Sequence, residues 1–225
     1  MRYTIEGNNL PAVFISLEPS EKLVSEVGGR IWTRGDIVTE TSSEGGIGKM
    51  FGRMLTGENL MLSTYTAQGA GEIAFASSFP GSIIAKELGA GEVFIAQKSA
   101  FLCATYGVEM SVEVNKSASS GLIGGEGFLM QKFTGPGIVF LEVDGYCKEY
   151  DLAPGERIVC DTGLLAAMDS SVTMTVETVK GLKNKLLGGE GLFDTVLTGP
   201  GHVYLQTMTV PRIAQLISTY LPKKN

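Results

Sequence analysis

The chain has 225 residues, 44% of them hydrophobic and 19% charged, enough to bury roughly 70% of the unfolded surface as one large or two smaller domains. Its net charge of −6 gives no cationic footprint for nucleic-acid phosphates, so nucleic acid is disfavoured as a partner unless a local basic patch exists. The 30 glycines are nearly double the usual share, which points to short strands and tight turns rather than long helices.

The opening residues MRYTIEGNNL place Glu6, Asn8 and Asn9 where a signal peptide needs its apolar run, and no segment reaches the roughly 18 consecutive apolar residues of a membrane span. Cys103, Cys147 and Cys160 are odd in number and lack C-x-x-C spacing, as expected of unpaired thiols in a reducing compartment. A soluble cytoplasmic protein is the expectation. Tyr3–Val27 then reads as two extended runs, with Val13, Ile15 and Leu17 alternating against Phe14 and Ser16.

From there the chain repeats itself. Leu88–Leu141 and Leu152–Leu205 agree at 19 of 54 positions without a gap, where chance gives roughly one in fifteen. A fainter earlier copy follows the same order. Leu17–Glu21 (LEPSE) has the form of Leu88–Glu92 (LGAGE) and Leu152–Glu156 (LAPGE), and Gly57–Thr66 aligns with Gly125–Thr134 and Gly189–Thr198. The copies run over about 12–78, 82–146 and 147–208 and together make a single domain. In each, a Pro/Gly/Glu turn leads into a strand, and an alternating run follows. Val108, Met110, Val112 and Val114 oppose Glu109, Ser111 and Glu113, and Val172, Met174 and Val176 oppose Thr173, Thr175 and Glu177. After a Gly-rich connection comes a hairpin through Gly135-Pro136-Gly137 or Gly199-Pro200-Gly201, expected as a type II turn with proline first and glycine second. In copy one the turn, Ala67–Gly71, is longer and lacks proline.

A strand-rich unit that cannot bury its apolar face alone packs against its neighbours. The expected fold is therefore all-β. It has three antiparallel units in a pseudo-threefold, prism-like or double-stranded β-helix-like arrangement, followed by a short C-terminal helix over 211–221. Pro211 suits a first helical position, and Ile213, Leu216, Ile217 and Tyr220 form one apolar stripe before Pro222 ends it. Either a seam between copies or a neighbouring subunit is expected to cover that stripe.

The residues carry no complete catalytic or cofactor constellation. The single histidine, His202, cannot supply the two or three ligands of a metal-dependent barrel, and no G-x-S-x-G accompanies it. Gly45–Met50 lacks the first glycine and the Ser/Thr of a phosphate loop, and Phe51 stands where a dinucleotide fingerprint needs its third glycine. No cofactor is expected, and the chain is read as not an enzyme. Glu58, Glu126 and Glu190 share one position in the three copies. They either converge as oxygen ligands for a hard cation or accept hydrogen bonds that fix their own corners, and the second reading extends to Glu21, Glu92 and Glu156. In Ile47–Leu55, Ile47, Phe51, Met54 and Leu55 share a helical face while Lys49 and Arg53 share another. That segment is either a solvated connection or a contact for an acidic partner or an anionic membrane surface. Trp32, the only tryptophan, is expected to pack on the core.

The run Gly48–Ala76 (GKMFGRMLTGENLMLSTYTAQGAGEIAFA), FPGSI at Phe79–Ile83 and the two later GGEG…TGPG units resemble a large bacterial and archaeal family first catalogued as a domain of unknown function. Its eukaryotic members are called altered inheritance of mitochondria protein 24. The resemblance covers essentially the whole chain. It implies an all-β fold similar to the tryptophan RNA-binding attenuation protein, and it carries over no catalytic residue. Eukaryotic members are linked to mitochondrial inner-membrane organisation, whereas this chain has the look of a bacterial cytoplasmic member. Together the readings favour a non-enzymatic scaffold or interaction protein that forms homo-oligomers. The alternatives are a small-ligand binder with a pocket between copies and a peripheral membrane protein acting through 47–55.

Overall fold

The structure, a computed structural model, describes residues 1–42, 62–113, 129–161, 163–178 and 193–221. An opening strand β1 (Arg2–Glu6) precedes copy one, which supplies β2 (Ala12–Leu17), β3 (Lys22–Glu26), β4 (Arg30–Arg34), β5 (Ile37–Ser42), β6 (Leu62–Ala67) and β7 (Gly71–Ala76). Copy two supplies β8 (Gly81–Leu88), β9 (Val93–Gln97), β10 (Phe101–Thr105), β11 (Glu109–Glu113), β12 (Met130–Thr134) and β13 (Gly137–Asp144). Copy three supplies β14 (Cys147–Leu152), β15 (Arg157–Asp161), β16 (Leu165–Asp169), β17 (Thr173–Thr178), β18 (Phe193–Thr198) and β19 (Gly201–Gln206), and α1 (Val210–Ser218) follows. The fold is all-β with one short C-terminal helix.

Sequence alternation is what sets these strands. Val108 and Met110 are buried where Glu109 and Ser111 are exposed, and Val172 and Met174 are buried where Thr173, Thr175 and Glu177 are exposed, the period-two pattern of a strand with one dry face. The sheets run β1-β2-β7-β4, β5-β6-β3-β10-β13-β8, β11-β12-β9-β16-β19-β14 and β15-β18-β17. Within each copy the first, last and third strands make one half-sheet, and the fourth, fifth and second make another. Copies join where the second strand of one pairs antiparallel with the third strand of the next. At β3–β10, Val24 lies opposite Ala104 and Leu23 opposite Thr105; at β9–β16, Ile95 lies opposite Met168 and Phe94 opposite Asp169. Corresponding residues meet in both seams. The core runs between the sheets, with Phe75, Phe94, Phe133 and Phe140 fully buried, each burial stabilising by about 1.5–3 kcal/mol.

The LxxxE corners explain how a copy turns. Glu21 accepts a hydrogen bond from Glu18 N–H at 2.8 Å, Glu92 from Gly89 N–H at 2.9 Å and Glu156 from Ala153 N–H at 2.9 Å. Ser20, Gly91 and Gly155 sit inside these turns at φ of 73°, 75° and 79°. Their N–H groups donate to Ala67, Gly135 and Gly199 carbonyls, whose own N–H groups donate back to Glu21, Glu92 and Glu156 carbonyls. This is the corner-fixing reading of those three glutamates.

Two local expectations are corrected. The hairpins at Pro136 and Pro200 are not type II turns, because the Gly135-Pro136 and Gly199-Pro200 peptides are cis and Gly137 and Gly201 have φ of 148° and 131°. Packing dictates the glycine before each proline. A Cβ on Gly135 would lie 2.3 Å from Gly89 O, and one on Gly199 would lie 2.5 Å from Ala153 O. Trp32 is not packed in the core. It lies on β4 half exposed, its ring tilted against Phe14 at 5.8 Å, because among the described residues no strand covers the outer edge of β4.

Two substitutions test the corner. Ser20→Gly removes the cost of a side chain in the left-handed region, about 1 kcal/mol, less the extra freedom glycine has when unfolded. A net gain of about 0.5 kcal/mol in denaturant unfolding is expected, and a loss would contradict the corner's equivalence with Gly91 and Gly155. Gly199→Ala should cost about 2 kcal/mol or more by the same measurement, since its new methyl meets backbone that cannot move aside.

Candidate interaction surface

Helix α1 is built as the sequence requires. Thr209 is extended and its hydroxyl accepts from Arg212 N–H at 3.3 Å, with Pro211 in the first turn, so the helix start is capped. The Arg212 guanidinium donates to the Asp161 carboxylate at the end of β15, which ties the first turn to copy three. Beyond that tie the helix lies on the outside. None of its residues is buried, Ile213 is only partly covered, and Leu216, Ile217 and Tyr220 are exposed together with Val210 and Leu221. Three of the four stripe residues predicted from spacing, Ile213, Leu216 and Ile217, thus lie on one short helix; it ends at Ser218 rather than 221, which leaves Tyr220 in the turn beyond it, and among the described residues no seam between copies covers them.

The other predicted positions divide. Glu58, Glu126 and Glu190, and the segment carrying Ile47, Lys49, Phe51, Arg53, Met54 and Leu55, lie outside the described residues. Among the described residues no group of three or more His, Cys, Asp or Glu side chains is placed to hold a metal ion. His202 lies on β19 with its Nδ1 3.0 Å from Glu149 Oε1, an ion pair when the ring is protonated.

Sequence reasoning missed the polar network around that histidine. Lys86 Nζ lies 3.2 Å from Asp169 Oδ1 and 5.0 Å from the centre of the Phe94 ring, while Asp169 Oδ2 accepts from His202 N–H at 2.9 Å. Burial first, then the neighbouring Glu149 carboxylate, push the Tyr204 hydroxyl well above its ordinary value. These residues come from β8, β9, β14, β16 and β19, so no local spacing announces them. Both Asp169 oxygens are committed, and the Tyr204 hydroxyl stays protonated. The hollow beside this network, about 340 Å³, is lined by Gly91, Glu92, Val93, Asp169, Ser170 and Ser171, a polar rim rather than an apolar pocket. It marks the seam between copies two and three.

All three cysteines are free thiols. Burial pushes Cys103 well up, and burial followed by nearby carboxylates pushes Cys147 and Cys160 to about 11. Thiolate is the reactive form, so none is an activated nucleophile at neutral pH.

Several antiparallel sheets, glutamate-clamped corners and one short C-terminal helix with an outward apolar face define the class: an all-β protein. The chain belongs to the mitochondrial biogenesis AIM24 family, whose family model matches residues 3–208. It is similar to an uncharacterised protein of Streptococcus pyogenes serotype M6, 26% identical over 231 residues that cover 99% of this chain and 92% of that one. A crystal structure of a Streptococcus pyogenes protein matches with a TM-score of 0.78 at 24% identity, covering 98% of this chain and 99% of that one, which shows the same fold. Among the described residues no helix is long and apolar enough to cross a membrane.

Raising a thiol from 9.0 to about 11 lowers its thiolate fraction near pH 7.5 roughly a hundredfold. Iodoacetamide labelling of Cys147 and Cys160 in the folded protein should therefore be slow at pH 7.5 and accelerate up to pH 11. A labelling rate at pH 7.5 equal to that of a small free thiol would contradict the burial described.

Proposed function

We propose that this protein is a non-enzymatic scaffold that works as a homo-oligomer in the cytoplasm, its β core presenting loops and α1 to neighbouring copies. The observation that carries the reading is the uncovered stripe of α1. Leu216 and Ile217 face outward on a helix with no buried residue, Tyr220 is exposed in the turn just beyond it, and an apolar stripe on a stable helix is normally covered. A second copy is the favoured cover. The cation on α1, Arg212, is already paired with Asp161, so the helix lacks the basic face that holds an amphipathic segment on an anionic bilayer. Three unpaired thiols support a reducing compartment. The ligand-binding alternative draws little support from a polar hollow at a seam.

Light scattering on the purified chain and on a truncation after Val210 tests the reading. The full chain is expected at a multiple of 23.9 kDa, and the truncation at a smaller mass with its far-UV spectrum unchanged. A monomer in both forms would refute the oligomeric scaffold. Flotation with anionic vesicles at low salt would instead recover the protein if α1 lies on membranes.

A further inference from the structure

The two seams within the chain share one geometry, and the chain's two ends display the two halves of a third. A second-position strand meets a third-position strand at β3–β10 and at β9–β16. Left over are the third-position strand of copy one, β4, and the second-position strand of copy three, β15. Among the described residues each ends its sheet. At their centres the side chains remain apolar, Ile31 and Trp32 on β4 and Ile158 and Val159 on β15, as if the missing neighbours were present. Val159 on β15 is 58% exposed, while its counterparts Val24 and Ile95 are 1% and 8% exposed. Trp32 on β4 is 49% exposed, while its counterparts Cys103 and Ala167 are fully buried. Open sheet edges in natural proteins are normally blunted with inward charges, prolines or coverings, and an uncovered apolar edge is a template for another strand.

The match extends to backbone detail. The ladders of β4 with β7, β10 with β13 and β16 with β19 carry a bulge at the same place, between Arg30 and Trp32, Phe101 and Cys103, and Leu165 and Ala167. β4 therefore has the backbone irregularity that β10 and β16 have where they receive their neighbours.

We propose that β15 of one molecule pairs antiparallel with β4 of a second copy, head to tail, so that the seam between copies continues from chain to chain. The register follows from the existing seams: Val159 opposite Thr33, Ile158 opposite Arg34 and Cys160 opposite Trp32. The contact is heterologous, and repeating it builds either a ring or a filament. The inference rests on the homo-oligomeric reading above and deepens it by naming the interface, which is separate from the α1 stripe.

The test uses edge charges and register-specific thiols in the full chain. Val159→Lys places a charge where the incoming strand would bury it, at a position already exposed in the single chain; Thr33→Lys, at a half-buried position, places one on β4. In a chain whose α1 stripe is made polar by Leu216→Glu and Ile217→Glu, both exposed positions, each variant should fall to the mass of one chain by light scattering with its far-UV spectrum unchanged. Mixed in equal amounts, they should form a species of twice that mass and nothing larger, because each keeps one working edge. Independently of any folding defect, Trp32→Cys opposite native Cys160, or Thr33→Cys with Val159→Cys, should form an interchain disulfide on mild oxidation. Directly opposed pairs alternate between hydrogen-bonded and non-hydrogen-bonded sites, so both are made. Adding Cys160→Ser to the Trp32→Cys chain should abolish its cross-link. A wild-type multimer that both lysine variants leave intact would overturn the seam while leaving the scaffold reading in place. A wild-type monomer would overturn both, and a disulfide closing within one chain would show that β15 reaches its own β4 instead.

Discussion

The constraint on which this fold depends is the clamp at the LxxxE corner. A strand that ends in leucine must reverse direction within four residues and still hand its backbone groups to the returning hairpin. The glutamate carboxylate holds the N–H three residues before it, and the residue in between takes a left-handed conformation that frees its own N–H to reach the hairpin. Charge-assisted bonds of this kind are about twice as strong as neutral ones, and the three clamps fix where each hairpin starts. Registers of the strands beyond follow, because a one-residue slip would turn every buried side chain outward.

Much of this was legible in the sequence. Alternation at Val108–Glu113 and Val172–Glu177 told strand from helix, and the spacing of Glu92 and Glu156 from Leu88 and Leu152 marked the corners. What could not be read was the geometry at Pro136 and Pro200. A Gly-Pro-Gly string is compatible with several turns, and the close approach of the Gly89 and Ala153 carbonyls, which requires glycine before each proline, comes from residues distant in the chain. Trp32 was misread for a related reason. An apolar residue on a strand is assigned to a core by its chemistry, while its exposure depends on whether another strand lies alongside.

The candidate surface shows the same division. The stripe Ile213, Leu216, Ile217 and Tyr220 follows from helical spacing alone, and the structure adds that Asp161 anchors the helix through Arg212. The network of Lys86, Asp169, His202, Glu149 and Tyr204 was invisible because strand pairing, not sequence proximity, assembles it. Its members belong to two copies, so it is a product of their packing.

The sharing of sheets between copies has a consequence for how the molecule comes apart. Each six-stranded sheet is half one copy and half the next, so the unit that recurs in the sequence and the unit joined by strand pairing are out of phase. A cut at a copy boundary would leave each fragment with a three-stranded remnant stripped of its neighbour. No single cut leaves both six-stranded sheets whole, because they interleave along the chain: β9, β11 and β12 of one lie between β8 and β13 of the other. A segment that recurs in the sequence therefore cannot be excised without breaking a sheet, and the physical modules are the joints between such segments.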